Sequence, residues 1–328
     1  MMSTDALAVL RSTRRSTLLR WPAAILTAAA SLALAGCGVV GHQASHTVSY
    51  GAVGPESGLI GTMDLEADES AEFDSSFDVG MVTDLDVSTR NGKITVTVDP
   101  EIESMLITAT FKAKSTDAAS ANARVRAASI DLDELGDGKI RLAPEMPGGW
   151  KNGDGASFDI RVPGPTALNA RTSNGRVTAN GPVGPITVAT SNGRITLDGT
   201  LGAASLSTSN GRVTVVDHLG PLQATTSNGA MDIRLHDESS ESVTLRTSNG
   251  AVSLVVGQAF GGDLTATTSN GSMSVDGFAG TLDDVKIERR RAHIVMPGKA
   301  SSTVRTSNGS VKLTRRAAAT AGSGSSAG

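Results

Sequence analysis

The chain has 328 residues, a net charge of −4, 3% aromatic residues and a single cysteine. A mildly acidic chain this poor in aromatic side chains has no basic, stacking surface for nucleic acid, and one thiol excludes a disulfide framework.

Residues 1–36 read as a lipoprotein signal peptide. Arg11, Arg14, Arg15 and Arg20 give a positive n-region, and the apolar run from Trp21 to Leu34 is short for a membrane span. It ends in Leu34-Ala35-Gly36-Cys37, the small-small-Cys pattern of a lipobox, so Cys37 is the expected lipidation site. Removing these residues takes away four arginines and Asp5, a net +3, and moves the charge from −4 to −7. Residues 37–76 are Gly/Ser/Ala-rich and then acidic, which reads as a disordered tether.

Residues 77–165 are expected to form a small α+β cap. Leu85 to Val96 resembles the repeats that follow, with Arg90-Asn91-Gly92 at its centre. Met105 to Phe111 alternates as a strand, the Ala-rich stretch to Ala128 opens with an N-cap signal at Ser115-Thr116-Asp117, and 139–142 and 157–162 alternate again. The simplest role for this portion is to cover the unpaired edges of the first coil.

From 166 to 314 the tetrapeptide Thr-Ser-Asn-Gly recurs seven times, with its asparagines at Asn174, Asn192, Asn210, Asn228, Asn249, Asn270 and Asn308. The steps are 18, 18, 18, 21, 21 and 38 residues; placing Arg289-Arg290-Arg291-Ala292 on the motif as a decayed copy splits the last into 21 and 17. A fixed period of this size is the signature of a solenoid. Three residues after each Asn stand Val177, Ile195, Val213, Met231, Val252, Met273, Ile294 and Val311; two further on, another wholly apolar column begins with Ala179 and Leu197. The residues between are polar with one exception, so each coil carries a strand with one buried face. Counting backwards gives a matching strand before the motif. Independent hairpins with Asn-Gly turns would explain each turn but not the matched columns.

The same parity predicts that the motif Thr and Asn face inward, with like residues stacked about 4.8 Å apart and their amides bonded along the axis. It predicts a positive φ at each motif Gly. Residues 315–328, a basic pair followed by Ala, Gly, Ser and Thr, read as a disordered tail.

Little here suggests catalysis. His42, His46, His218, His236 and His293 lack ligand spacing and read as solvated, so no metal or cofactor is expected. There is no phosphate-loop motif and no nucleophile elbow. Asp217, Asp232, Asp237 and Asp263 are the candidates for a carboxylate pair, but their registers differ. The feature most open to function is a column of Arg176, Arg194 and Arg212, each two after its Asn in consecutive coils, with Arg171 beside it and Arg246 and Arg305 further on. Like charges so close together suit counter-ions or a polyanion.

The run Ser88-Thr89-Arg90-Asn91-Gly92, the Ala-rich insertion, and Phe158-Asp159-Ile160-Arg161-Val162-Pro163 leading into Thr-Ser-Asn-Gly coils resembles the bacterial putative adhesin domain family over about residues 77–314. The resemblance implies a β-solenoid on envelope proteins and brings no catalytic residues. The expectation is therefore an all-β, single-stranded β-solenoid of about eight 18–21-residue coils, anchored outside the cytoplasm to the bacterial membrane. Its expected role is a non-catalytic adhesion or binding scaffold touching an anionic envelope polymer. Rival roles are a sensor or accessory component of envelope-stress signalling, with a membrane-protein partner, and a carbohydrate-active enzyme.

Overall fold

The computed structural model describes residues 42–51, 70–71, 82–115, 118–181, 183–278 and 284–317, all within one compact unit spanning 41–328. Residues 1–36, read above as a signal peptide, Cys37 and residues 318–328 lie outside the described residues.

Each coil is one layer of two strands, and the layers are named here by their motif asparagine. In the Asn210 layer, Ala204–Thr208 precedes the motif and Val213–His218 follows it. Strands before the motif build a first sheet and strands after it a second; each sheet has twelve strands among the described residues. Between neighbouring coils the pairing is parallel and in register, as in Val177↔Ile195↔Val213 and Val188↔Leu206↔Ala224. The apolar columns meet between the sheets: Val177, Ile195, Val213, Val188 and Leu245 are at most 1% exposed. Each such side chain contributes roughly 1.5–3 kcal/mol by leaving water.

The layers do not follow the order of the chain at either end. Along the second sheet the sequence of strands is Gly155–Val162, Ile94–Val98, Val177–Asn180 and onward, so the Asn91 layer lies between an outer layer, Lys139–Glu145 with Gly155–Val162, and the Asn174 layer. At the far end Ser301–Thr306 and Val311–Arg315, the last coil in the chain, lie between the Asn249 and Asn270 layers. The buried Ser302, in an otherwise apolar column, accepts the Val243 N–H at 3.0 Å. Sequential stacking of eight repeats is therefore not what forms. The eight layers that carry a ladder asparagine are the seven full motifs plus the Asn91 unit.

The decayed copy is not a coil. Arg289-Arg290 is the turn of a hairpin, Asp284–Glu288 with Arg291–Met296, which pairs antiparallel with Gly262–Thr268 at the edge of the first sheet. Ile294 and Met296 are buried, but in the first sheet rather than the second. At the other end antiparallel strands also stop the stack. Ser129–Gly136 pairs with Lys139–Glu145, and Leu106–Ser115 pairs with Gly155–Val162. An antiparallel strand presents a different hydrogen-bond pattern from the one a further coil needs, so it ends the parallel ladder. The helix is Ala118–Arg126.

Within the segment read as a tether, His42–Gly51 pairs antiparallel with Leu106–Ser115, and Ser70–Ala71 pairs with it. The alternation of Ala44, His46, Val48 and Tyr50 with polar residues matches in register the alternation of the strand it meets: Val48 stands opposite Ala109 and Tyr50 opposite Ile107. Arg315, taken with the tail, ends the last strand and is 8% exposed.

Candidate functional site

The Thr-Ser-Asn-Gly corner sets the spacing of everything on the surface, and each of its residues has a separate task. The seven motif threonines are buried, but they do not bond to one another. Each hydroxyl donates to the Gly carbonyl of the neighbouring layer, as Thr190 does to Gly175 at 3.2 Å and Thr208 to Gly193 at 3.1 Å. Ser is outward, and its carbonyl takes two backbone N–H groups: Ser191 O receives those of Ser209 and Asn210.

The asparagines of the full motifs are exposed, not inward. Strand parity does not carry past the strand end at Thr172, and the turn swings Asn174 outside. On that outer corner the amides form one row. Asn174 Nδ2 donates to Asn91 Oδ1 at 2.6 Å, and the pattern repeats through Asn192, Asn210, Asn228, Asn249, Asn308 and Asn270 at 2.6–2.7 Å. The row begins on the Asp154 carbonyl, which accepts from Asn91. The buried Asp154 carboxylate is in turn held by Arg124 of the helix, at 2.6 and 3.0 Å, and by the Lys151 N–H.

Among the described residues, none of the motif glycines has a positive φ. They are needed because the next layer leaves no room for a side chain: a Cβ on Gly193 would lie 1.6 Å from the Gly175 carbonyl oxygen, and one on Gly211 1.6 Å from that of Gly193. The left-handed backbone occurs at the second corner instead, at Gly181 and Gly199, and at Asp217 in the equivalent place.

This spacing fixes the arginine column. Arg176, Arg194 and Arg212 are exposed and stand one layer apart on the second sheet, each carbonyl accepting the N–H that opens the strand in the layer before. Lys93 extends the column by one layer, since Ile94 is the register partner of Val177. Its position two after Asn91 is the signal that would have found it. Arg212 pairs with Asp232 at 3.0 Å, and Lys93 lies 4.0 Å from Asp159. Arg171 lies on the other sheet, 3.5 Å from Asp86.

The candidate acids are not brought together. Asp232 is on the second sheet with Arg212, Asp263 is on the first sheet 3.1 Å from His293, and Asp237 pairs with Arg316 at 2.9 Å. His218 is not solvated: it is fully buried. The register shift at Asp217 turns the chain by one position and brings His218 inward. Its Nδ1 lies 2.7 Å from the Thr200 hydroxyl and its Nε2 3.4 Å from the Pro221 carbonyl. A carbonyl only accepts, so Nε2 carries the proton and Nδ1 accepts. Burial holds the imidazole pKa below its ordinary value. Among the described residues no group of three His, Cys, Asp or Glu could hold a metal ion.

A family model described as Toastrack DUF4097 matches residues 74–314. The chain belongs to that family. Among solved structures the Toastrack chain is similar to one described as a "putative cell adhesion protein" from Clostridium sporogenes, with 13% identity and a TM-score of 0.29, covering 71% of this chain and 92% of that one. No curated protein matches. The match to the family model spans the whole ladder from Asn91 to Asn308.

Proposed function

We propose that this Toastrack protein is a non-catalytic adhesion or binding scaffold of the bacterial cell envelope, held at the membrane by lipid on Cys37. We propose further that it touches an anionic envelope polymer through Arg176, Arg194 and Arg212. The observation that carries the reading is the register of that column: parallel pairing of the strands that follow them holds the backbone positions of the three arginines about 4.8 Å apart on a strand-backed face. A rigid line of forked donors suits repeated carboxylate or phosphate groups better than a single small ligand. The similar Clostridium chain is named for cell adhesion, which agrees with this reading without supplying an argument for it.

The test is pull-down of isolated cell wall with wild type and with Arg176→Ser/Arg194→Ser/Arg212→Ser. Retention by the variant is expected to fall about tenfold or more near physiological salt; unchanged retention removes the polymer contact. Cys37→Ser is expected to release the protein from the membrane fraction, and a variant that stays there removes the lipid anchor.

A further inference from the structure

The layer that returns out of order assembles a second basic surface from residues remote in the chain. Arg246 and Arg305 are register partners, Arg305 next meets Thr267, and Thr267 is the antiparallel partner of Arg291. The three arginines are exposed, while the residues before them in the first sheet, Leu245 and Val304, and after Arg291, Ala292, are buried. The column is therefore outward by strand alternation. The hairpin turn adds the exposed Arg289 and Arg290.

Several outward arginines elsewhere on this protein keep an acid. Arg171 has Asp86 at 3.5 Å, Arg212 has Asp232 at 3.0 Å, Arg141 has Asp133 at 3.9 Å, and Arg161 has Asp99. The five arginines at this end of the first sheet make no ion pair among the described residues. The acid in direct register with them, Glu288 opposite Arg291, has its Oε1 3.3 Å from Lys286 Nζ. Five exposed arginines thus share this end of the sheet face with no ion pair among the described residues, and nothing in the local packing requires them, since their side chains face outward.

We propose that this cluster is a binding site for a linear polyanion bearing phosphate groups, laid along Arg246, Arg305 and Arg291. Strand spacing puts the first two about 4.8 Å apart and the third about 9.6 Å beyond, with the Thr267 hydroxyl between as a neutral donor. The planar fork of each arginine matches two phosphate oxygens. A straight column on a sheet suits an extended chain rather than a membrane surface, which would favour aromatic or apolar wedges; the cluster contains no aromatic residue. The site shares polyanion chemistry with the Arg176–Arg194–Arg212 column but none of its residues, and it does not depend on that column.

The test uses the whole protein and long-chain inorganic polyphosphate, with binding measured across a salt series. Wild type is expected to bind, and Arg246→Ser/Arg305→Ser/Arg291→Ser to bind at least tenfold more weakly. The slope of log K against log salt should become shallower by about 2, as expected for three lost contacts. Arg176→Ser/Arg194→Ser/Arg212→Ser, run beside it, reports on the other column separately. An unchanged melting temperature in the variants confirms that the fold is intact. Absence of wild-type binding, or binding by the Arg246/Arg305/Arg291 variant within twofold of wild type, overturns the site. Binding to phosphatidylglycerol vesicles without binding to polyphosphate overturns the polymer assignment.

Discussion

Between Asn174 and Asn249 consecutive coils are consecutive layers, whereas at each end the chain passes over one layer position and fills it from elsewhere in the sequence. The Asn91 layer, first in the chain, is covered by a layer built later, Lys139–Glu145 with Gly155–Val162; the Asn308 layer, last in the chain, is covered by the earlier Asn270 layer. The result is the same at both ends. A first or last coil left on the outside would have one unpaired edge; placed one layer in, it has a bonded neighbour on either side.

The crossing at the far end has its own signature. A Cβ on Gly261 would lie 1.9 Å from the Pro297 carbonyl oxygen, and one on Gly262 2.0 Å from that of Ala300, so this glycine pair lets the returning chain pass. Arg315 and Arg316 then fasten the last strand: Arg315 donates to the Gln258 carbonyl at 2.6 Å, and Arg316 pairs with Asp237 at 2.9 Å.

The largest effect is expected from removing one covered layer or its cover. Deleting 299–317 takes out the Asn308 layer and is expected to cost on the order of 5 kcal/mol or more in local stability. Deleting 260–298 should leave that layer on Asn249 and cost less. Thermal unfolding of the two deletions measures the difference, and equal melting temperatures would mean that the Asn270 coil closes directly onto Asn249. At the near end, Arg124→Ala strands the buried Asp154 carboxylate and is expected to cost about 3–5 kcal/mol in urea unfolding. In the middle, Gly211→Ala should cost about 3 kcal/mol, because a carbonyl must move. Gly148→Ala in the cap loop meets nothing within 4 Å and should cost only about 1 kcal/mol for its φ of +70°.

The amide row gives a smaller contrast. Asn210→Ala breaks two bonds of the row and Asn270→Ala one, so the expected losses are about 2 and about 1 kcal/mol. Smallest is a pH effect confined to the middle. His218 has a folded pKa below its unfolded value near 6.5, so the unfolded chain binds more protons in that window. Stability should be fully present above about pH 6.5 and decline as pH falls below it. His218→Gln should flatten that limb in unfolding measured between pH 5 and 8.

How far the sequence could be read follows strand geometry. Wherever a strand runs straight, alternation shows which residues are buried, as at Val213 and Val215. It fails one step past a strand end, which is why the asparagines turn out exposed, and it fails after a register shift, which is why His218 turns out buried. The same alternation was present in His42–Gly51, but a composition rich in Gly, Ser and Ala hides it. Arg124 and Asp154 carry no periodic signal, because a single pair joining a helix to a loop is a tertiary contact.

By itself the sequence determines the layer: two strands, an apolar interior, and a corner whose Thr, Asn and Gly suit a neighbour of the same kind. It does not determine which layer lies next to which. Every coil offers nearly the same edge of backbone donors and acceptors and the same row of amides, so local energies favour stacking without naming the neighbour. That order is decided where unlike parts meet, at the antiparallel strands that stop the ladders and the Gly261-Gly262 crossing. Only the folded chain therefore brings Arg305 beside Arg246.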